Sequence, residues 1–234
     1  MTRCHPVTDP VKETLHPVIT IDGPGGAGKG TVSMRLASEL GFNFLDSGAL
    51  YRLVAVAAMK RGIEPDNERA LTELASGLNL QISVGDNEVV YCLDGEEVGH
   101  KLRAESVSVF SSHVASLANV RAALVDRQRA FRQAPGLVAD GRDMGTVIFP
   151  DAVCKIFLTA SADERARRRY KQLKDKGLNV SLAALSRDIE KRDRRDSERT
   201  LAPLKPAMEA RLLDTTGRTI EDVTQQVLDW VAEL

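Results

Sequence analysis

Residues 18–31 read Val-Ile-Thr-Ile-Asp-Gly-Pro-Gly-Gly-Ala-Gly-Lys-Gly-Thr, an apolar β-type run that breaks into a glycine-rich turn carrying one lysine and one threonine. Few patterns restrict a chain so tightly. A buried strand stops, the backbone turns on residues that tolerate positive φ, and a helix restarts through Val32, Leu36 and Leu40 to a glycine stop at Gly41. That geometry aims backbone N–H groups at an anion. Gly23, Pro24, Gly25, Gly26, Ala27, Gly28 and Gly30 form the cradle, Lys29 can reach β- and γ-phosphates, and Thr31 can offer its hydroxyl to Mg2+. The positive N-terminal end of the following helix favours the same anion. In the general GxxxxGK[ST] pattern a hydroxyl residue follows the lysine directly. Here Gly30 separates Lys29 from Thr31.

The rest of the chain narrows the choices by exclusion. At 234 residues one α/β domain with a sizeable insertion is the natural expectation. A formal charge of -1 argues against a generally basic nucleic-acid binder. The three cysteines, Cys4, Cys92 and Cys154, are far apart with no CxxC pair, and the four histidines have no ligand spacing, so neither a disulfide framework nor a zinc site is expected. No apolar run nears the roughly 20 residues a bilayer span needs, and the N-terminus lacks a secretory h-region. A cytoplasmic protein acting on small molecules, with no nucleic-acid or membrane partner and working as a monomer, is the expectation. Residues 1–16 read as a flexible leader.

Along the chain, Asp46-Ser47 opens a helix that runs to Gly62 and puts Ser47 and Tyr51 on one face near its start. Alternating segments at 78–84 and 88–93, separated by Gly85-Asp86-Asn87, predict a β-hairpin that interrupts the α/β alternation. Helices are expected over 103–117 and 119–133, and buried strands over 137–140 and 152–158. Ser161-Ala162-Asp163-Glu164 is a capping-box start for a basic helix ending near Gly177. A charged helix over about 181–198, a late strand ending at Asp214 and an amphipathic helix over 219–234 complete the reading.

Asp140 ends an apolar strand, the placement of a Walker B-type carboxylate that organises magnesium through water; bonding to the loop backbone is the plain alternative. Arg142 and Asp143 follow that strand at once, where a phosphate or base contact competes with a simple ion pair. Asp188, Arg192, Asp196 and Arg199 lie on one helical face with alternating sign, which on spacing alone predicts a solvated salt-bridge ladder. The basic run 165–171 reads as a phosphate-facing lid, because no second basic patch or interleaved aromatics extend it.

Three segments together, Gly-Pro-Gly-Gly-Ala-Gly-Lys-Gly-Thr at 23–31, Leu-Asp-Ser-Gly-Ala-Leu-Tyr-Arg at 45–52 and Ala-Asp-Gly-Arg-Asp-Met-Gly-Thr-Val-Ile-Phe-Pro-Asp-Ala at 139–152, closely resemble the bacterial cytidylate kinases, and the likeness continues through 192–199. The GKGT form of the loop is itself that of nucleoside monophosphate kinases. The resemblance implies a P-loop NTPase-type three-layer α/β fold with a central parallel sheet. It implies a core over 17–63 and 103–234 with a lid at about 161–180, and an inserted part of the monophosphate-binding subdomain over 64–102. It implies ATP and Mg2+ on the donor side and CMP or dCMP as acceptor. Ser47, Tyr51 and Arg52 would line the monophosphate site, with Arg52 and Arg142 gripping the phosphate. Ser112, Arg121 and Asp143 would read the base, and Arg192, Asp196 and Arg199 would contact ribose and phosphate. Lys29, Arg142 and Arg199 would carry the catalysis, with Thr31 and Asp140 on the metal.

Overall fold

Asp22, Asp46, Gly141, Thr159 and Asp214 are the last residues of the five strands of one parallel sheet, so each strand hands its chain over at the same edge. The strands are β1 (Val18–Asp22), β2 (Asn43–Asp46), β6 (Leu137–Gly141), β7 (Cys154–Thr159) and β8 (Arg211–Asp214), in the order β2-β6-β1-β7-β8. The computed structural model describes residues 15–84, 89–175, 177 and 179–234. Most of the expected leader (1–14) and the turn read at 85–87 lie outside these residues.

The sheet sorts its side chains by alternation. Val18, Leu45, Leu137 and Ala139 point into one core, while Ile19, Ile21, Phe44, Val138 and Ile156 point into the other. Burial on both faces is what a parallel sheet with helices on either side demands. One face is covered by α1 (Lys29–Leu40) and α8 (Ile220–Ala232). The other is covered by α2 (Ser47–Lys60), α3 (Glu68–Ser76), α4 (Glu105–Val114) and α5 (Ala118–Arg129). The remaining helices, α6 (Ala162–Lys174) and α7 (Leu182–Glu198), pack on each other above the strand ends. This is the three-layer α/β sandwich of P-loop NTPases.

Residues 64–102 hold more than the hairpin read from the sequence. Strands β3 (Leu80–Val84) and β4 (Val89–Leu93) pair antiparallel, and a short β5 (Glu96–Glu97) extends them to three strands. Helix α3 precedes them, capped by Asn67, whose side chain accepts from the Ala70 amide at 3.1 Å. Leu71, Leu74 and Ala75 give it an apolar stripe at helical spacing, and that stripe joins Leu50 and Leu53 of α2 and Leu93 of β4 in a single core. The second helix of the expected pair ends at Arg129, not at 133.

Candidate active site

The donor loop is shaped by what a side chain would hit. A Cβ at Gly23 would lie 1.9 Å from the Leu158 carbonyl oxygen, so only glycine fits against β7 there. Gly28 sits in the left-handed region at φ 91 and turns the chain into α1. Lys29, buried, donates from Nζ to the Pro24 carbonyl at 3.1 Å and lies 3.7 Å from Asp140 Oδ1. Burial pulls the Lys29 ammonium below its usual range, and Arg142 adds to this; Asp140 partly opposes it. Burial raises the Asp140 carboxyl, and Lys29 partly restrains it. A Cβ at Gly30 would sit 3.4 Å from Asp140 Oδ2, and Thr31 beside it is exposed.

Two arginines of the basic run brace this loop from outside. Arg165 is buried and donates to the Gly25 carbonyl at 3.1 Å, to the Ala160 carbonyl at 3.0 Å and to both carboxylate oxygens of Asp193 on α7. Arg168 donates to the Thr215 carbonyl at 2.6 Å, and the Thr215 hydroxyl donates to the Ala27 carbonyl at 3.1 Å. The run read as a phosphate-facing lid therefore has two of its arginines engaged with the loop and with the segment after β8. Arg167 is exposed.

Beyond the loop lies a cluster of charges from distant parts of the chain. Arg52 donates to Asp46 at 2.8 Å, and the other oxygen of that carboxylate caps α2 through the Ala49 amide at 2.9 Å. Arg142 donates to Asp196 at 3.0 Å. Arg121 bonds Asp143, with both groups buried, and lies 5.8 Å from the centre of the Tyr51 ring. Arg199 and Arg121 both donate to the Ala115 carbonyl, at 3.3 and 3.1 Å. Setting aside the Lys29–Asp140 pair, Arg52, Arg121, Arg142, Arg192 and Arg199 face Asp46, Asp143 and Asp196, an excess of two positive charges. Ser112 Oγ, Arg192 Nε and Arg199 Nε are buried without a hydrogen-bond partner.

The ladder expected from spacing is corrected by this arrangement. Asp188 is exposed as a surface ladder requires, but Asp196 is only 6% exposed and its main partner, Arg142, comes from the end of β6. Burial would raise the Asp196 carboxyl; Arg142, Arg192 and Arg199 outweigh it and hold the group below the usual carboxylate range. Arg192 is drawn down to about 10 by burial and by the neighbouring Arg142. Ser47 spends its hydroxyl on Gln128 Oε1 at 2.6 Å, and Tyr51 is buried enough that its phenol is raised.

Two buried groups were not singled out from the sequence. Gln128 is one. The other, Asp22, closes β1 and accepts from the Met144 and Gly145 amides at 2.9 and 2.8 Å, tying the start of the donor loop to the π-type turn Met144–Ile148 that carries Asp143 at its head. Burial raises its carboxyl to about 7 against the pull of those two amides. A lone carboxylate ending an otherwise apolar strand was the signal available.

Edge to edge, the two regions meet at Gly25. A Cβ there would lie 3.4 Å from Arg142 Nη2 and 3.8 Å from Arg192 Cζ. Against known proteins, the family model described as cytidylate kinase matches residues 19–233. A cytidylate kinase of Stutzerimonas stutzeri is 58% identical over 219 residues, covering 93% of this chain and 96% of that protein. One from Burkholderia pseudomallei is 56% identical over 218 residues, 93% and 94% of the two chains, and one from Vibrio parahaemolyticus is 54% identical over 215 residues, 92% and 95%. Among solved structures, a gluconokinase from Sinorhizobium meliloti overlays at a TM-score of 0.47 with 15% identity, covering 94% of this chain and 93% of its own, too loosely to add to the fold described above. With a phosphate loop, an arginine cluster at its edge and a family match running through both, this chain belongs to the cytidylate kinase family.

Proposed function

We propose that the chain transfers the γ-phosphoryl group of ATP in line onto an α-phosphate oxygen of CMP or dCMP, giving CDP or dCDP. The observation that carries this reading is the meeting at Gly25: a loop built for a triphosphate shares an edge with Arg142 and Arg192, in a cluster whose excess of two positive charges suits a phosphate dianion. The acceptor is already ionised at neutral pH, so no strong general base is required. The work falls to positioning and charge neutralisation, with Lys29 and the loop amides on the donor and Arg52, Arg142 and Arg199 on the acceptor and the transferring group.

Base selection rests on Asp143 and Arg121, which present an acceptor and a donor side by side, together with the buried, unpartnered Ser112 hydroxyl on α4. Cytosine offers an amino donor at N4 beside acceptors at N3 and O2. Uracil reverses the first two, leaving Asp143 against an oxygen, a mismatch that costs heavily once the groups are desolvated. Arg192, Asp196 and Arg199 are assigned to ribose and phosphate, and Ser47 and Tyr51 to the wall of the same site.

Asp140 and Thr31 are the residues that would hold Mg2+, Asp140 through water. The buried carboxylate, raised by desolvation and only partly offset by Lys29, is short of positive charge, and the missing side chain of Gly30 leaves room beside it. Held there, Mg2+ would supply Lewis-acid neutralisation of the charge on the donor phosphates. Closing of 64–102 and of the segment at about 161–180 over both nucleotides would exclude water from the transfer.

The test is an acceptor panel: purified protein, ATP and magnesium with CMP, dCMP, UMP and AMP in parallel, reading ADP and the diphosphate product. CDP and dCDP are expected to dominate. A clear preference for AMP, or ADP released without any acceptor, would overturn the reading.

A further inference from the structure

Glu105, Ser108 and Ser112 stand at spacings of three and four on α4, so they share one face of that helix. What meets that face is not α4's own side of the molecule. Glu105 lies 4.0 Å from Arg169 of α6, and Ser108 Oγ accepts from Arg192 Nη1 of α7 at 3.1 Å. The Ser112 hydroxyl is buried with no partner.

Arg192 depends on this contact. Asp196 is its nearest carboxylate, but at 4.0 Å from Nε, and the same oxygen is taken by Arg142 at 3.0 Å. The Arg192 Nε is buried and unpartnered. Arg142 is a cation beside it, and both flank Gly25 of the donor loop. Repulsion between two guanidiniums sharing one carboxylate would swing the less firmly held one away. Among the described residues, Ser108 is the sole hydrogen-bond acceptor of Arg192.

We propose that Ser108 is the positioning residue of Arg192: its hydroxyl, reaching over from α4, holds the guanidinium against the repulsion of Arg142 and so readies it for the acceptor nucleotide. Because donor and acceptor of this bond sit on α7 and α4, the bond exists only when those helices are together. Arg192 is therefore set for the acceptor in the closed arrangement and released in an open one. This rests on the CMP-phosphorylation reading above.

The experiment measures kcat and KM for CMP and for ATP in wild type, Ser108→Ala and Ser108→Thr, then repeats Ser108→Ala in an Arg192→Met background. A hydrogen bond to a charged group predicts that Ser108→Ala lowers kcat/KM for CMP about tenfold, with the KM for ATP and the melting temperature unchanged. Ser108→Thr, which keeps the hydroxyl, should stay within about twofold of wild type. In the Arg192→Met background the alanine should cost less than about twofold, since the group it positions is gone. Should the alanine variant fail to fold, the isosteric pair Ser108→Thr and Ser108→Val makes the same comparison. The proposal is overturned if removing the hydroxyl leaves kcat/KM for CMP unchanged, or if the full loss persists without Arg192. A wild type that makes no CDP would instead defeat the acceptor reading, and this one with it.

Discussion

Nine consecutive residues, 23–31, supply the donor loop, whereas the arginines of the neighbouring cluster come from positions 52, 121, 142, 192 and 199, carried by α2, α5, the end of β6 and the end of α7. The loop is a local object. Its glycines, its lysine and the helix that follows would be recognisable in isolation, and tertiary structure adds the brace from Arg165, the Thr215 bond to Ala27 and the pairing of Lys29 with Asp140. The cluster is the reverse. Arg121, Arg142 and Arg199 are held by a carboxylate or carbonyl from another element and Arg192 by a serine hydroxyl of α4, whereas the partner of Arg52, Asp46, caps its own helix. A site made of consecutive residues can fail at one atom and leave its neighbour intact; a site made by convergence fails as a network.

Lys29→Ala tests the independence of the loop. Turnover should fall by about a hundredfold to a thousandfold, the worth of a positioned donor on developing charge in a water-excluded site. CMP binding, followed by calorimetric titration without ATP, should stay within about threefold, because Lys29 contacts Asp140 and Pro24 and no member of the acceptor pairings. Equal loss of both would break the contrast between the two regions.

Asp143→Ala tests the network. It leaves Arg121 buried without its carboxylate, and breaking a buried pair in this way costs about 3–5 kcal/mol. Denaturant unfolding should register that loss, and the preference for CMP over UMP should fall by about a hundredfold while ATP affinity is kept. Unchanged discrimination between the two pyrimidines would remove Asp143 from base reading.

The same division decides what could be read from sequence alone. The positions of β1, β6 and β7 follow from short apolar runs separated by helices, and the loop, the Asp46 cap and the β6 strand bearing Asp140 need only neighbours a few residues away; the order of the strands in the sheet does not. The partners of the cluster were out of reach. Spacing puts Asp196 on a solvated ladder, and only the packing of α7 over the strand ends turns it toward Arg142, 54 positions away. Helix α3 was missed because its three buried residues sit in a polar segment where periodicity is brief. Ser108 carries no sequence signal, since one serine among several on α4 gains meaning only from Arg192 across from it.

Asp22 joins the two regions, and its titration measures the joint. Its carboxyl lies near 3.8 in an unfolded chain and is raised to about 7 in the fold, so between those values the folded state binds the extra proton and stability declines as pH rises. Above about pH 7 both states are ionised and the decline stops. Asp22→Asn removes the group. The unfolding free energy of the variant minus that of wild type should therefore grow with pH from about 4 to 7, by up to about 1.4 kcal/mol per unit, and then level off. A flat difference across that window would mean the carboxylate is not held in a desolvated site, and the tie between loop and Asp143 would lose its electrostatic character.

The smallest effect is expected at the start of α6, where the loop's brace begins. Ser161 caps that helix through the Glu164 amide at 3.2 Å, but the reciprocal half of the expected capping box is absent: Glu164 turns to Arg168 at 3.0 Å, and the Ser161 amide donates to Thr216. Ser161→Ala should cost about 1 kcal/mol of stability, visible as a modest shift in the denaturant midpoint. Its effect on the KM for ATP should be under about twofold, because the helix is fixed over the loop by Arg165, whose bonds to Gly25, Ala160 and Asp193 do not involve the cap. A large rise in that KM would show the donor loop leaning on α6 as a whole, and the loop would then be as much a product of convergence as the arginine cluster beside it.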